Sequence, residues 1–180
     1  MSKLYLVEFT PEAEASKETA ESIIESAHKA LEGLDAEVIE TQVTSDFKII
    51  YAILEADNPA VFAQSYKDTF RGVAGLEGPD EVRLVGADLE DIKKLKTSAE
   101  YLIEWDIPAE ITMDQYLARK KQNSPNYAKV PEVSFLRTYV REDTAKCLCF
   151  YDAPDEEALK RARAAVNTPI DRIFKLNEAK

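Results

Sequence analysis

A chain of 180 residues, 45% hydrophobic and 32% charged, is long enough for one globular domain or two small ones and too apolar for a disordered chain. Its net charge of −11 repels phosphate backbones, which are captured by clustered Lys and Arg, so no nucleic-acid partner is expected. No uncharged apolar run approaches the ~20 residues of a spanning helix, and Met1-Ser2-Lys3-Leu4 leads into a strand-like segment without a signal-peptide stretch, so no membrane contact and a cytoplasmic location are expected.

The first half reads as strand, helix, strand, strand, helix, strand. Leu4 to Phe9 is aliphatic and aromatic, as strands are. Thr10-Pro11 or Ser16 can cap a helix in which Ile23, Ile24, Ala27 and Leu31 recur at helical spacing until Gly33. Glu37 to Val43 and Phe47 to Leu54 are β-rich runs around the turn Thr44-Ser45-Asp46. Pro59 then opens a helix through Phe62, Tyr66 and Phe70, which Gly72 to Pro79 breaks before a short run from Glu81 to Val85.

The second half repeats that order. Tyr101 to Trp105 is a strand, and Thr112-Met113-Asp114-Gln115 has the capping-box form of a helix start. Val133 to Arg141 and Ala145 to Tyr151 flank the turn Glu142-Asp143-Thr144. Ala153-Pro154-Asp155-Glu156-Glu157 opens a helix carrying Leu159, Ala162 and Val166, and Ile170 to Leu176 supplies the last strand.

The two halves also share residues. Tyr5-Leu6-Val7-Glu8-Phe9 returns as Tyr101-Leu102-Ile103-Glu104-Trp105, shifted by 96 positions (101 − 5), and Glu55-Ala56-Asp57-Asn58 is echoed by Asp152-Ala153-Pro154-Asp155, shifted by 97 (152 − 55). Such self-similarity predicts a duplication. The expected organisation is an acidic ferredoxin-like domain over 1–86, a linker over 87–99 and a second ferredoxin-like domain over 100–180. Charge separates the halves: residues 1–90 hold 7 Lys and Arg against 19 Asp and Glu, or −12, and residues 91–180 hold 16 against 15, or +1.

A βαββαβ unit is the split-βαβ arrangement, an antiparallel sheet with two helices on one face, so the fold class is α+β. Alternation puts Tyr101, Ile103 and Trp105 toward the helices and Leu102 and Glu104 on the open face. If Leu148 and Phe150 pack under the helices, Cys147, Cys149 and Tyr151 share the open face with Phe135, Arg137 and Tyr139. An apolar open face wants cover. The expectation is that the two sheets pack face to face as an intramolecular α/β barrel.

Tyr101-Leu102-Ile103-Glu104-Trp105-Asp106-Ile107-Pro108, the strand from Val133, Cys149-Phe150-Tyr151-Asp152-Ala153-Pro154-Asp155-Glu156-Glu157-Ala158 and Pro169-Ile170-Asp171-Arg172-Ile173 together resemble a bacterial ferredoxin-like family of unknown general function. One of its members is described as nickel-binding. The resemblance covers roughly residues 100–176 and reaches the first half only through the internal repeat. It implies the ferredoxin-like fold. Many members of the family carry a His in the second helix of the domain, where this chain has Arg163, and the nickel-binding type carries another on the first strand, where this chain has Glu104. Arg cannot replace His as a metal ligand, so nickel binding does not carry over to these positions.

Glu104 and Arg137 are the candidate catalytic pair, a carboxylate and a guanidinium able to orient a polar ligand or move a proton; a structural ion pair is the alternative. Cys147 and Cys149, two residues apart on a strand, can pack in the core or contribute two soft donors, but nothing nearby in sequence completes a metal set, and no metal site or cofactor is expected. Their spacing also makes no disulfide framework. Trp105, Tyr116, Tyr127, Phe135, Tyr139 and Tyr151 are candidate ligand-binding aromatics, with core packing as the alternative. His28, the sole histidine, sits beside an apolar stripe, and Arg119-Lys120-Lys121 reads as a solvated helix face, with an anion site as the alternative. Without a phosphate loop, a His-Glu-x-x-His or a nucleophile elbow, phosphate transfer and zinc proteolysis are excluded. Three functions remain: a non-enzymatic module binding a small hydrophobic ligand or an assembly partner, a second copy of the chain included; a cofactor-free isomerase, cyclase or monooxygenase; and a transition-metal binder.

Overall fold

The computed structural model describes residues 3–12, 14–58, 70, 72–95 and 98–177. The fold is α+β, with antiparallel strand pairings throughout and four α-helices among the described residues. Two compact units divide it, one drawn from Met1–Val82, Leu89–Ser98 and Leu176–Lys180, the other from Arg83–Asp88 and Ala99–Lys175.

In the first unit, β1 (Lys3–Pro11) lies between β3 (Ile50–Ala56) and β4 (Val73–Val85), and β3 also pairs with β2 (Ala36–Thr44), an order of β4-β1-β3-β2. Helix α1 (Lys17–Ala30) starts where the Ser16 side chain accepts a hydrogen bond from the Thr19 amide. Its Ala20, Ile23 and Ala27 pack with Val7, Phe9, Ile50, Ala52 and Leu54 of the sheet. The helix expected from Pro59 through Tyr66 lies outside the described residues. β4 corrects one expectation: the strand expected from Glu81 already begins at Val73, because the β1–β4 register shifts between Leu6 and Glu8 and lets Gly78 and Pro79 sit in the irregularity. The joining segment carries α2 (Leu89–Lys93), whose Lys93 amine lies 2.9 Å from Glu55 and 3.1 Å from Glu37.

The second unit contains β5 (Tyr101–Asp106), α3 (Met113–Asn123), a 3-10 turn (Ser124–Lys129), β6 (Ser134–Arg141), β7 (Lys146–Asp152), α4 (Glu156–Ala165) and β8 (Arg172–Asn177). The order is β8-β5-β7-β6. The α3 capping box forms as its sequence predicts, the Thr112 hydroxyl accepting from the Gln115 amide while the Gln115 side chain accepts from the Thr112 amide. Removing it by Thr112→Ala is expected to cost about 1 kcal/mol, read as a lowered thermal midpoint.

Register corrects the assignment of faces. Cys149 stands directly opposite Ile103, and Cys147 opposite Trp105, and cross-strand neighbours share a face. Cys147, Cys149 and Tyr151 therefore point with Tyr101, Ile103 and Trp105 toward α3 and α4, where they pack on Tyr116, Ala158, Leu159 and Ala162. Leu148 and Phe150 take the opposite face. On β6 the register shifts between Phe135 and Arg137, so Leu136 forms a bulge. Phe135 faces the helix side with Tyr151, while Arg137 and Tyr139 fall opposite Phe150 and Leu148 on the other face.

Both faces of each sheet are buried. Away from the helices, Leu6, Tyr51 and Ile53 in the first unit and Leu102, Tyr139, Leu148 and Phe150 in the second are no more than 1% exposed.

Candidate functional site

The polar core of the second unit forms around Arg163. It occupies the third place in the stripe Leu159, Ala162, Arg163, Val166, so α4 points it into the interior like a hydrophobic residue, and only 2% of it is exposed. The end of α4 provides one of its partners. Asn167 takes a positive φ of 53°, with its amide bonded to the Ala164 carbonyl at 3.1 Å and the Thr168 amide bonded to the Arg163 carbonyl at 3.0 Å, a Schellman turn. That turn brings the Pro169 carbonyl back to within 2.6 Å of Arg163 Nη2.

Arg163 Nη1 donates to the Tyr151 hydroxyl at 3.0 Å and reaches the Cys149 sulfur at 3.5 Å; Nε is buried without a partner. No carboxylate pairs with this guanidinium among the described residues, although buried charges ordinarily require a counter-charge. Cys149 is suited to supply it. Its sulfur lies 4.0 Å from the Cys147 sulfur, the Thr138 hydroxyl donates to it at 3.2 Å, and Lys120 and Arg163 bring positive charge. The hydrogen bond from Cys147 and these cations hold the Cys149 thiol well below its ordinary range despite burial. Cys147 moves the opposite way, raised by its bond to Cys149 and by burial. Burial opposes the Arg163 charge, but the neighbouring Cys149 and Tyr151 more than offset it and raise its pKa.

A cavity of about 20 Å³, room for one or two water-sized atoms, opens beside this group, with Cys147, Cys149 and Arg163 in its wall. Trp105 and Tyr116 line it, as do Arg119 and Lys120. The Arg119 guanidinium lies 5.5 Å from the Trp105 ring, and the Lys120 amine 4.3 Å from that of Phe135. The solvated-face reading of Arg119-Lys120-Lys121 is thus corrected: Lys121 is exposed, while Arg119 and Lys120 are half-buried. Tyr127 closes the far side, its hydroxyl 2.6 Å from that of Tyr151 and its ring stacked on Phe135; burial pushes its hydroxyl pKa to about 12. Burial likewise raises Tyr116 and Tyr151.

The expected site residues therefore separate across the sheet. Trp105, Tyr116, Phe135 and Tyr151 gather on the helix side with the cysteines. Tyr139 lies on the other face, its ring 5.9 Å from that of Phe150, and Arg137 stacks on Phe150 at 5.0 Å. Glu104 is also on that face, 3% exposed, with the Lys146 amine at 3.4 Å and the Arg172 guanidinium against its other oxygen. Arg172 stands opposite Glu104 in the ladder and also holds Asp106 at 2.9 Å, lowering that carboxyl below its usual range. Sequence reasoning placed Tyr127 among the pocket aromatics but did not place Arg119, Lys120 or Arg163 at a site. Arg163 alone had a readable signal, an arginine within an apolar stripe.

Among the described residues, the first unit has no such group. Thr112 and Ser16, the two helix caps, are 96 positions apart (112 − 16), which sets Tyr116, Arg119 and Lys120 against Ala20, Ile23 and Ile24. In the sheets, Leu6 pairs with Ile53 and Leu102 with Phe150, a 97-residue offset (150 − 53) that sets Cys147, Cys149 and Tyr151 against Ile50, Ala52 and Leu54. All six first-unit residues belong to or pack on its apolar core. His28 is exposed on α1.

Residues 101–176 match the model of the SCO4226-like nickel responsive proteins. The resemblance of the second half to a nickel-linked bacterial family is thus shown. No curated protein matches the chain. Among solved structures, the chain is similar to a candidate chlorite dismutase (16% identity, 98% of this chain and 96% of that one, TM-score 0.57). It is also similar to a candidate monooxygenase from Lactobacillus acidophilus NCFM (10% identity, 100% and 95%, TM-score 0.52) and to an anthrone oxidase-like protein (11% identity, 98% and 91%, TM-score 0.53). These likenesses concern the fold.

A nickel ion does not fit the residues present. Arg163 and Glu104, at the positions where the family resemblance calls for histidine, lie on opposite sides of the sheet, and the guanidinium has no lone pair to offer. No group of three or more His, Cys, Asp or Glu able to hold a metal occurs among the described residues. No described helix is long and apolar enough to cross a membrane.

Proposed function

We propose that the chain is a non-enzymatic small-molecule-binding module built on a duplicated ferredoxin-like unit, in which the half-exposed cations lining the second unit's cavity engage, from outside it, the anionic head of a compact ligand. The observation that carries this reading is Arg163, almost wholly buried without a carboxylate partner among the described residues, with an unpartnered Nε beside a cavity that Arg119 and Lys120 also line. Three cations around one small space favour an anion over the purely hydrophobic ligand expected from the aromatics. Trp105 and Tyr127 supply apolar and hydroxyl contacts for the rest of it.

The common cap spacing, strand order and ladder offset support the duplication. In this reading Glu104 is a structural anchor, because two cations already engage its carboxylate.

Trp105 is the sole tryptophan, so its fluorescence reports the cavity. Titration of the full chain with phosphate, sulfate and acetate is expected to give a saturable fluorescence change for at least one anion. Arg119→Met should weaken that binding about tenfold, as loss of a charge-assisted contact does. A linear response to all three, or equal affinity in the variant, would overturn the anion reading.

A further inference from the structure

We propose that Cys149 is a modification site, a thiol oxidised by small peroxides and shielded from larger reagents by the cavity it lines. The proposal does not rest on the anion reading, since it concerns the protein's own sulfur.

The surroundings of Cys149 are built for an ionised thiol. Its sulfur meets the Thr138 hydroxyl at 3.2 Å, Arg163 Nη1 at 3.5 Å and the Cys147 sulfur at 4.0 Å. The first unit shows that this kind of core packs without sulfur, since Ile50 and Ala52 stand where Cys147 and Cys149 would. Core packing therefore does not by itself call for the thiols. Reactive cysteines occur where cations stabilise the thiolate and a path reaches solvent, and both conditions meet here.

The reaction balances with a peroxide as oxidant. The Cys149 thiolate attacks one peroxide oxygen, an S–O bond forms and the O–O bond breaks. The leaving hydroxide or alkoxide takes up a proton. Sulfur is oxidised by two electrons to a sulfenic acid and the peroxide is reduced by two. Cys147 does not readily resolve this product to a disulfide, because residues two apart on an extended strand have Cα atoms roughly 6.5 to 7 Å apart, at or beyond the limit for that bond. The sulfenic acid is the resting product. The cavity, about 20 Å³, admits hydrogen peroxide and excludes an aromatic disulfide reagent.

The test treats the reduced full chain with hydrogen peroxide, traps sulfenic acid with a 1,3-dione and locates the label by peptide mass spectrometry. Label on Cys149 and not Cys147 is expected, at least about tenfold faster than on free cysteine at neutral pH. Arg163→Met should slow labelling about tenfold and Lys120→Met about threefold, as their charges leave the thiolate. Lys120 is half-exposed, so its variant keeps the test open if Arg163→Met fails to fold. A bulky aromatic disulfide should react with the native chain far more slowly than with the unfolded one. Label on Cys147, a rate no greater than that of free cysteine, unchanged rates in the folded variants, or rapid reaction with the bulky reagent would each overturn the proposal.

Discussion

Arg163→Ala is expected to lower the unfolding free energy by about 4 kcal/mol, seen as an early urea transition in Trp105 fluorescence. The substitution strips the Tyr151 hydroxyl and the Pro169 carbonyl of a charged donor, leaves Cys149 without its nearest cation and opens a void among Leu159, Ala162 and Tyr116. Each buried group left unpaired costs about 1 to 3 kcal/mol, and the void adds the rest. Arg163→Met separates the two contributions, because it refills much of the space without the charge and is expected to recover about half of the loss. The deficit should also depend on pH. Because the folded state depresses the Cys149 pKa, the stabilisation tied to its ionisation is complete above the thiol's unfolded pKa and fades as pH falls through the native one. The gap between the native chain and Arg163→Ala should therefore narrow on acidification. A gap that widened would mean that Cys149 is not the counter-charge.

Glu104→Ala is expected to cost about 3 kcal/mol by the same measurement, with no comparable loss from Asp106→Ala. Glu104 is 3% exposed and faces both Lys146 and Arg172, whereas the Asp106 side chain is 55% exposed and its ion pair is screened by water. Removing the buried carboxylate leaves two cations against an apolar sheet face. A double-mutant cycle with Arg172→Gln should show a coupling of about 1 kcal/mol or more. A near-neutral Glu104→Ala would return this residue to the role of a catalytic carboxylate held in place by its surroundings.

Element order was legible in the sequence because both helix caps, the turns and the repeated pentapeptide state it locally. The faces of β7 were not. Cys147, Cys149 and Tyr151 on one side and Leu148 and Phe150 on the other are all buried, so alternation carried no contrast between inside and outside, and only pairing with β5 decides between them. Arg119 and Lys120 were concealed for another reason. A long cationic side chain on an amphipathic helix reads as solvated even where its stem lies along an aromatic ring. Arg163 was visible as a break in an apolar stripe, but its meaning depends on sulfur atoms from a strand that no spacing rule links to α4.

The extra residue at Leu136 acts as a frameshift within one strand. Upstream, Phe135 stacks on Tyr127 of the cavity wall; downstream, Arg137 and Tyr139 belong to the opposite side of the sheet, although simple alternation would have kept all three together. Deleting Leu136 would restore strict alternation and would have to exchange one set for the other, driving Arg137 toward the thiols or withdrawing Phe135 from Tyr127 and Lys120. A single inserted position thus lets two chemically different surfaces diverge on one strand, each free to change without disturbing the parity of the other.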